Sequence, residues 1–351
     1  MTAEMTLSLA LAIPALATLA IVLLGRWPNW REAATLVAAI GLFVVACELL
    51  LAVLAGGRPA LQLAVLAPGL EIALKVDPLG MLFGIGKAAL MPFHRWLPAA
   101  MVAPTPVSAL LHAVAVVKAG VFSVVKVVVY VFGLDQLAGA TDWLVAISGF
   151  TIVAASVVAL HADNLKRRLA YSTVSQLSYV ILAAAILAPL SVAGAALHIA
   201  AHAFGKITLF FAAGAIYTAA HKTEVSQLDG IGRRMPWTMA AFGIGALSMI
   251  GLPPAAGFVS KWYIVSGAMA QAHWFAVAVI LASTLLNAGY FLPILHRAFL
   301  RPLSADAVAH PHGEAPFAVV LALCFTAAGT LALFFFPEMP LALARQLVAM
   351  P

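Results

Sequence analysis

Lys87, Lys118, Lys126, Lys206 and Lys261 all stand inside long apolar runs. A charged lysine at the centre of a bilayer costs about 2.5–3.5 kcal/mol on insertion scales. Desolvation disfavours an ammonium relative to its neutral amine, so a buried lysine can lose and regain a proton near neutral pH. The chemistry such residues offer is proton transfer. Lys126 lies near the end of its run, where a stem that lifts the ammonium to the headgroups is an equal alternative. Lys87, Lys118 and Lys206 lie too deep for that and read as functional. In "LHIAAHAFGK", His198, His202 and Lys206 fall at i, i+4 and i+8, on one helical face. A histidine pair at this spacing could hold zinc, but no Cys, Asp or Glu nearby supplies further ligands. Stacked relay positions account better for three titratable groups on one face.

Prolines mark two places where a helix must break. Pro92 follows Lys87 by five residues in "GKAALMPFHRWLP", and Pro253 and Pro254 precede Lys261 in "IGLPPAAGFVSKW". A proline lacks the amide donor that the carbonyl one turn back requires. In hydrocarbon those carbonyls need partners from protein or water, so broken helices mark cavities and ion paths. A lone kink would read as packing; two breaks, each beside a buried lysine, favour a path. Between them, Tyr171, Ser175 and Ser178 or Tyr179 form a hydroxyl stripe, joined by Gln176. On its own this stripe reads as interhelical hydrogen bonding, and beside the histidine face a water chain competes.

These residues need a frame of membrane helices. The 351-residue chain is 64% hydrophobic and 9% charged, with a mean hydropathy of +1.06. Apolar runs long enough to cross a ~30 Å hydrocarbon layer recur at about 5–24, 33–55, 79–98, 106–132, 142–161, 168–188, 191–219, 237–270, 273–296 and 316–336. The expected class is all-α: a polytopic membrane protein of about ten spans, two of them broken. Residues 1–6 lack a basic stretch, so the first run is expected to remain as a span. Cys47 and Cys324 lie far apart and suggest neither a disulfide nor a thiolate metal site. With the N-terminus outside, Arg26, Arg31, Arg95, Lys166, Arg167, Arg168, Lys222, Arg233, Arg234, Arg297 and Arg301 fall on the inner side. Only Arg58, Lys75 and Arg345 fall outside. That asymmetry follows the positive-inside rule. It accounts for the net charge of +6 without a nucleic-acid partner.

The stretches 86–122, 161–179, 198–216, 228–236 and 251–262, in this order, resemble the proton-conducting antiporter-like subunits. These are shared by Mrp-type cation/proton antiporters and the membrane arm of respiratory complex I, where they are subunits L, M and N. The details are most similar to the D-type subunit of the Mrp antiporters. The resemblance implies an inverted-repeat fold with one broken helix per repeat. It matches Lys87 to the lysine of the first broken helix, Lys206 to the central relay lysine and Lys261 to the lysine of the second. His112, His198 and His202 match channel histidines, and Lys166 a basic residue flanking the next helix. Lys118 joins this relay set. The implied division is N-terminal helices over 1–83, an incomplete first repeat over 84–188, a second repeat over 189–300, and a loop and helix over 301–351.

One departure is large. Several helices, including the one with the family's intramembrane glutamate, should intervene between residues 83 and 84. The chain is a shortened paralogue or lacks an internal segment there. Away from the span ends, Glu48 is the only carboxylate within a span, which makes the chain alone a poor sodium site, since hard cations prefer several oxygen ligands.

The functional expectation is a proton-translocating subunit of a multi-subunit monovalent cation/proton antiporter. It would be multi-pass in the plasma membrane, with partner membrane subunits and the bilayer around it. Protons are the expected cargo, and any sodium site would involve those partners. The alternatives are a membrane-arm subunit of an NADH:quinone oxidoreductase-like complex, or a non-conducting structural subunit. No nucleotide loop, haem ligand pair or cysteine cluster is present, so neither a cofactor nor catalytic chemistry on this chain is expected.

Overall fold

The computed structural model describes residues 3–23, 28–54, 62–67, 70–73, 86–109, 116–133, 139–303 and 313–348. His112 and residues 74–85 lie outside the described residues. The chain divides into two compact units, 1–75 and 76–351. In the first, α1 (Ala3–Leu23) packs against α2 (Pro28–Leu54). A two-stranded antiparallel hairpin follows, β1 (Gln62–Ala67) with β2 (Leu70–Ala73). Glu48, the carboxylate noted above, is exposed on α2.

The second unit is a helical bundle. A segment of turns from Gly86 to Arg95 leads into α3 (Trp96–Ala99), a 3-10 turn (Ala100–Val102) and α4 (Thr105–Ala109). Next comes α5 (Val116–Lys126), widening into a π-helical turn over Val127–Phe132. The rest is α6 (Asp142–His161), α7 (Leu165–Ala185), α8 (Pro189–Ala220), α9 (Pro236–Ile250), α10 (Ala256–Ala270), α11 (Trp274–Leu300), α12 (Phe317–Phe335) and α13 (Glu338–Val348). The run 79–98, expected as an interrupted span, forms no membrane-length helix in its described part. Pro92 and Pro98 fall within it and Pro104 and Pro106 follow closely, and each removes a helical donor. The run 237–270 behaves as expected and splits into α9 and α10.

Within the second unit polarity is arranged inside out. Phe150, Leu285, Phe299, Phe317 and Phe325 are exposed, whereas Ser172, Gln176, His198, His202, Lys206 and Asn287 are fully buried. Water would penalise that arrangement and a bilayer favours it. Trp143, Trp237 and Trp274, each in the first turn of a helix, are exposed as interfacial anchors. Among the described residues α6, α8, α11 and α12 are long and apolar enough to cross a membrane. This is a multi-pass membrane protein.

The central element is α8. It packs against α4, α7, α9, α10, α12 and α13, and its 32 residues exceed the ~20 that a bilayer requires. Pro189 starts it, where a missing amide does no harm, and His221 ends it in the left-handed conformation. Its neighbour α7 is buried on nearly every side, so its hydroxyl-rich sequence faces protein and not lipid. The basic loops gather at one end of the bundle. Leu165 N donates to the Thr223 carbonyl at 2.8 Å, Gly230 N to that of Arg297 at 2.9 Å, and Arg297 pairs with Asp229 at 3.0 Å.

Candidate functional site: a buried lysine and histidine cluster

The second break shows how sequence places a charge. α9 ends at Gly251, whose φ of +90° a residue with a side chain rarely adopts. A Cβ there would also press on the stem of Lys261. Two carbonyls before this turn have lost their partners, because Pro253 and Pro254 occupy the donor positions four residues after Met249 and Ile250. Lys261 reaches back from α10 and fills both places, donating from Nζ to the Met249 oxygen at 2.8 Å and the Ile250 oxygen at 3.0 Å. Gln176 Nε2 (3.2 Å) and Asn287 Nδ2 (3.3 Å) donate to the same Met249 oxygen. The prolines thus create the acceptor that holds the lysine. The Lys261 ammonium also lies 4.7 Å from the centre of the Tyr179 ring.

From Lys261 the cluster extends along α8. The adjacent Ser260 hydroxyl is 2.9 Å from His198 Nδ1, and the His198 ring stacks on Tyr179. His198 and His202 are tilted, with ring centres 6.2 Å apart. Lys118, from α5, lies with Nζ 2.6 Å from His202 Nδ1; when Lys118 is charged that nitrogen accepts and the proton of the neutral ring sits on Nε2. One turn further on, Lys206 donates to the Ser172 hydroxyl of α7. Lys118, Lys206, Lys261, His198 and His202 are all buried. Among the described residues no carboxylate is buried with them. Charge on one member therefore disfavours charge on the next. Among the described residues, His198 Nε2 and Gln176 Oε1 are buried without a hydrogen-bond partner in the protein, and each is a polar atom to which a bridging water could bond.

The other expected residues lie elsewhere. Lys87 is half-buried in the first broken segment. A Cβ on Gly120 of α5 would strike its backbone, so the broken segment crosses α5 two residues from Lys118. Pro92 stands in the turns that follow, where Met91 N donates to Thr151 Oγ1 at 3.3 Å and Trp96 Nε1 to the Gly86 carbonyl at 3.0 Å. Lys166 is not in the cluster. It donates to the Ala103 carbonyl at 2.9 Å and lines a cleft of about 870 Å³ at the basic end, together with Lys222, Tyr217 and Phe210. Lys126 is exposed, over the Phe122 ring, and stands apart from the cluster. Among the described residues no three His, Cys, Asp or Glu side chains converge as metal ligands would.

The family described as NADH:quinone oxidoreductase/Mrp antiporter, TM, matches residues 4–287, most of the chain and all of this cluster. The chain belongs to this family. NADH-quinone oxidoreductase subunit N of Desulforudis audaxviator is 39% identical over 251 residues, 69% of this chain and 49% of the relative. Subunit L of Rickettsia bellii is 36% identical over 230 residues, 65% and 35% of the two lengths. The chain therefore spans half or less of the length of these curated relatives. The fold is that of a chain in the Mrp complex from Dietzia (TM-score 0.69, 22% identity, 77% of this chain and 58% of that one). It is likewise that of a chain in the archaeal membrane-bound sulfane sulfur reductase (0.69, 23%, 98% and 72%).

Sequence reasoning missed Ser172, Ser260, Asn287 and Tyr290. Ser172 stands two turns before Tyr179, and Ser283, Asn287 and Tyr290 fall at i, i+4 and i+7 of an apolar helix, a polar face that periodicity would have revealed.

Proposed function

We propose that this chain is a proton-translocating subunit of a multi-subunit cation/proton antiporter in the plasma membrane. Protons pass among Lys118, His202, His198, Lys206 and Lys261, with waters in the gaps. The observation that carries the reading is the buried cluster itself: three lysines and two histidines, linked or nearly linked, in the interior of a membrane bundle without a carboxylate among the described residues. A packing role would be served by apolar side chains, since buried charges seldom contribute net stability. The cleft lined by Lys166 and Lys222 supports a route from the basic end. Its wall includes Phe210, one turn of α8 from Lys206. The fit to the D-type Mrp subunit rests on sequence detail.

A second reading, a membrane-arm subunit of an NADH:quinone oxidoreductase-like complex, is favoured by the names of the curated relatives. Purification of the intact assembly and identification of its chains separates the two: small antiporter subunits for the first, iron–sulfur and quinone-site chains for the second. For either, Lys261→Ala should lower proton-coupled transport while the complex still assembles. Normal transport by that variant would favour a structural subunit.

A further inference from the structure

The cleft at the basic end holds an unanswered cation. Lys222 lines it and is only 7% exposed, yet among the described residues it has neither a hydrogen-bond nor an ion-pair partner. A buried charge left unpaired is costly. Lys166, at the same mouth, uses one of its three donors on the Ala103 carbonyl at 2.9 Å. The two lysines come together because the start of α7 is tied to the segment after α8. Leu165 N donates to the Thr223 carbonyl at 2.8 Å, and Val225 N to that of Asp163 at 2.9 Å. Asn164 and Leu165 bring the N-terminus of α7 to the cleft as well, and the positive end of a helix favours an anion. Among the described residues no carboxylate lines the cleft. The two nearest in sequence are engaged elsewhere: Asp163 accepts from Ser226 N at 3.1 Å and Ser226 Oγ at 2.6 Å, and Glu224 caps the turn over Val225–Gln227.

Beyond this mouth the cleft turns apolar. Phe210, Phe211 and Gly214 of α8 line it, with Ala318, Val319 and Ala322 of α12. The small residues among them leave space between the two helices. Ala318 and Ala322 are exposed, whereas Phe210 is fully buried, so the cleft opens at the lipid-facing surface and ends on a closed floor. From Phe210 to the end of α8 at Ala220 is roughly 15 Å along the helix axis, half of a ~30 Å hydrocarbon layer. Cations at headgroup level over an apolar channel one leaflet deep match the shape of a phospholipid, phosphate above and acyl chain below. A water-soluble anion would leave the apolar wall uncovered, and a lipid without net charge would gain less from the lysines.

We propose that this cleft binds one anionic phospholipid of the adjoining leaflet. Its phosphate sits on Lys222, Lys166 and the N-terminus of α7, and one acyl chain lies along α8 and α12 as far as Phe210. The lipid supplies the anion that Lys222 lacks and covers the apolar wall. The site stands apart from the proton reading, because the chain fills the apolar part of the cleft and leaves the lysines at the mouth in contact with water.

The test uses the assembled complex and a phosphatidylglycerol carrying a photoreactive diazirine at the end of one acyl chain, at sub-saturating concentration, with cross-linked peptides read by mass spectrometry. Label is expected on α8 near Phe210 and Phe211 and on α12 near Ala322. Unlabelled phosphatidylglycerol should compete more strongly than zwitterionic phosphatidylcholine. Lys222→Gln should weaken labelling about fivefold, the effect of one lysine near an anionic headgroup. Ala322→Phe stands at an exposed position, keeps both lysines and should abolish the label by filling the channel. Equal competition by the two lipids, or full labelling in either variant, would overturn the proposal and leave only ordinary lipid contact with the bundle. Competition by glycerol phosphate as strong as by the lipid would overturn it in favour of a small-anion site. Label on a partner chain in place of α8 and α12 would overturn it in favour of a subunit interface.

Discussion

Lys118 and His202 make the shortest contact between titratable side chains in the cluster, 2.6 Å between Nζ and Nδ1, and they come from helices far apart in sequence. Lys118→Met removes the charge and leaves the His202 nitrogen without its donor, a loss of about 1–3 kcal/mol for a buried polar atom. His202→Leu leaves a buried ammonium without its acceptor, and the penalty rises toward about 3–5 kcal/mol for a stranded charge. The double variant leaves neither and replaces both by apolar groups of similar bulk, a change that can be nearly neutral. The double variant should therefore be more stable than His202→Leu alone, with a coupling of about 4 kcal/mol when both single losses stand at their lower bounds and the double is near neutral. Thermal unfolding of the purified proteins in detergent, by tryptophan fluorescence, measures the cycle, and proteoliposome transport measures function in parallel. All three variants should transport poorly, so stability and activity part company in the double variant. Additive losses of stability would refute the contact and the relay order built on it.

Two further outcomes follow from the basic end. Engineered cysteines in loops 162–168 and 220–236 should resist an impermeant reagent in intact cells and react after permeabilisation; labelling in intact cells would reverse the topology. Phe210→Ala should open the cleft toward Lys206 and raise the passive proton leak of reconstituted complexes several-fold, about the effect of 1 kcal/mol on a barrier. An unchanged leak would place the entry elsewhere.

Much of the site could be read from residue types. The i, i+4, i+8 face of His198, His202 and Lys206 is buried on α8, and the two prolines before Lys261 end one helix and release the carbonyls that bind it. The partners were harder to see, because they are tertiary. Nothing in the sequence brings Lys118 to His202 across 84 residues, or Ser172 to Lys206. Arg168 read as a loop residue of the inner side, yet it is buried and bonded to two carbonyls. A side chain at a helix terminus can face either solvent or a neighbouring helix, and only the packing decides. The polarity of α7 shows the same limit from the other side. Its hydroxyls and basic first turn leave it outside the helices that pass for membrane spans by length and composition, because a helix surrounded by protein need not be apolar.

The account turns on Lys206. It is fully buried, it shares the α8 face of His198 and His202, and it lies one turn from the wall of the cleft. Lys87 stands half-buried in the first broken segment, apart from the five residues proposed as the relay. Proton uptake by proteoliposomes holding the assembled complex, followed with a pH-sensitive dye, should be abolished in Lys206→Met and nearly unchanged in Lys87→Met, at equal assembly. Uptake that survives Lys206→Met would contradict the relay, and equal loss in both variants would mean that the first repeat conducts with help from another chain.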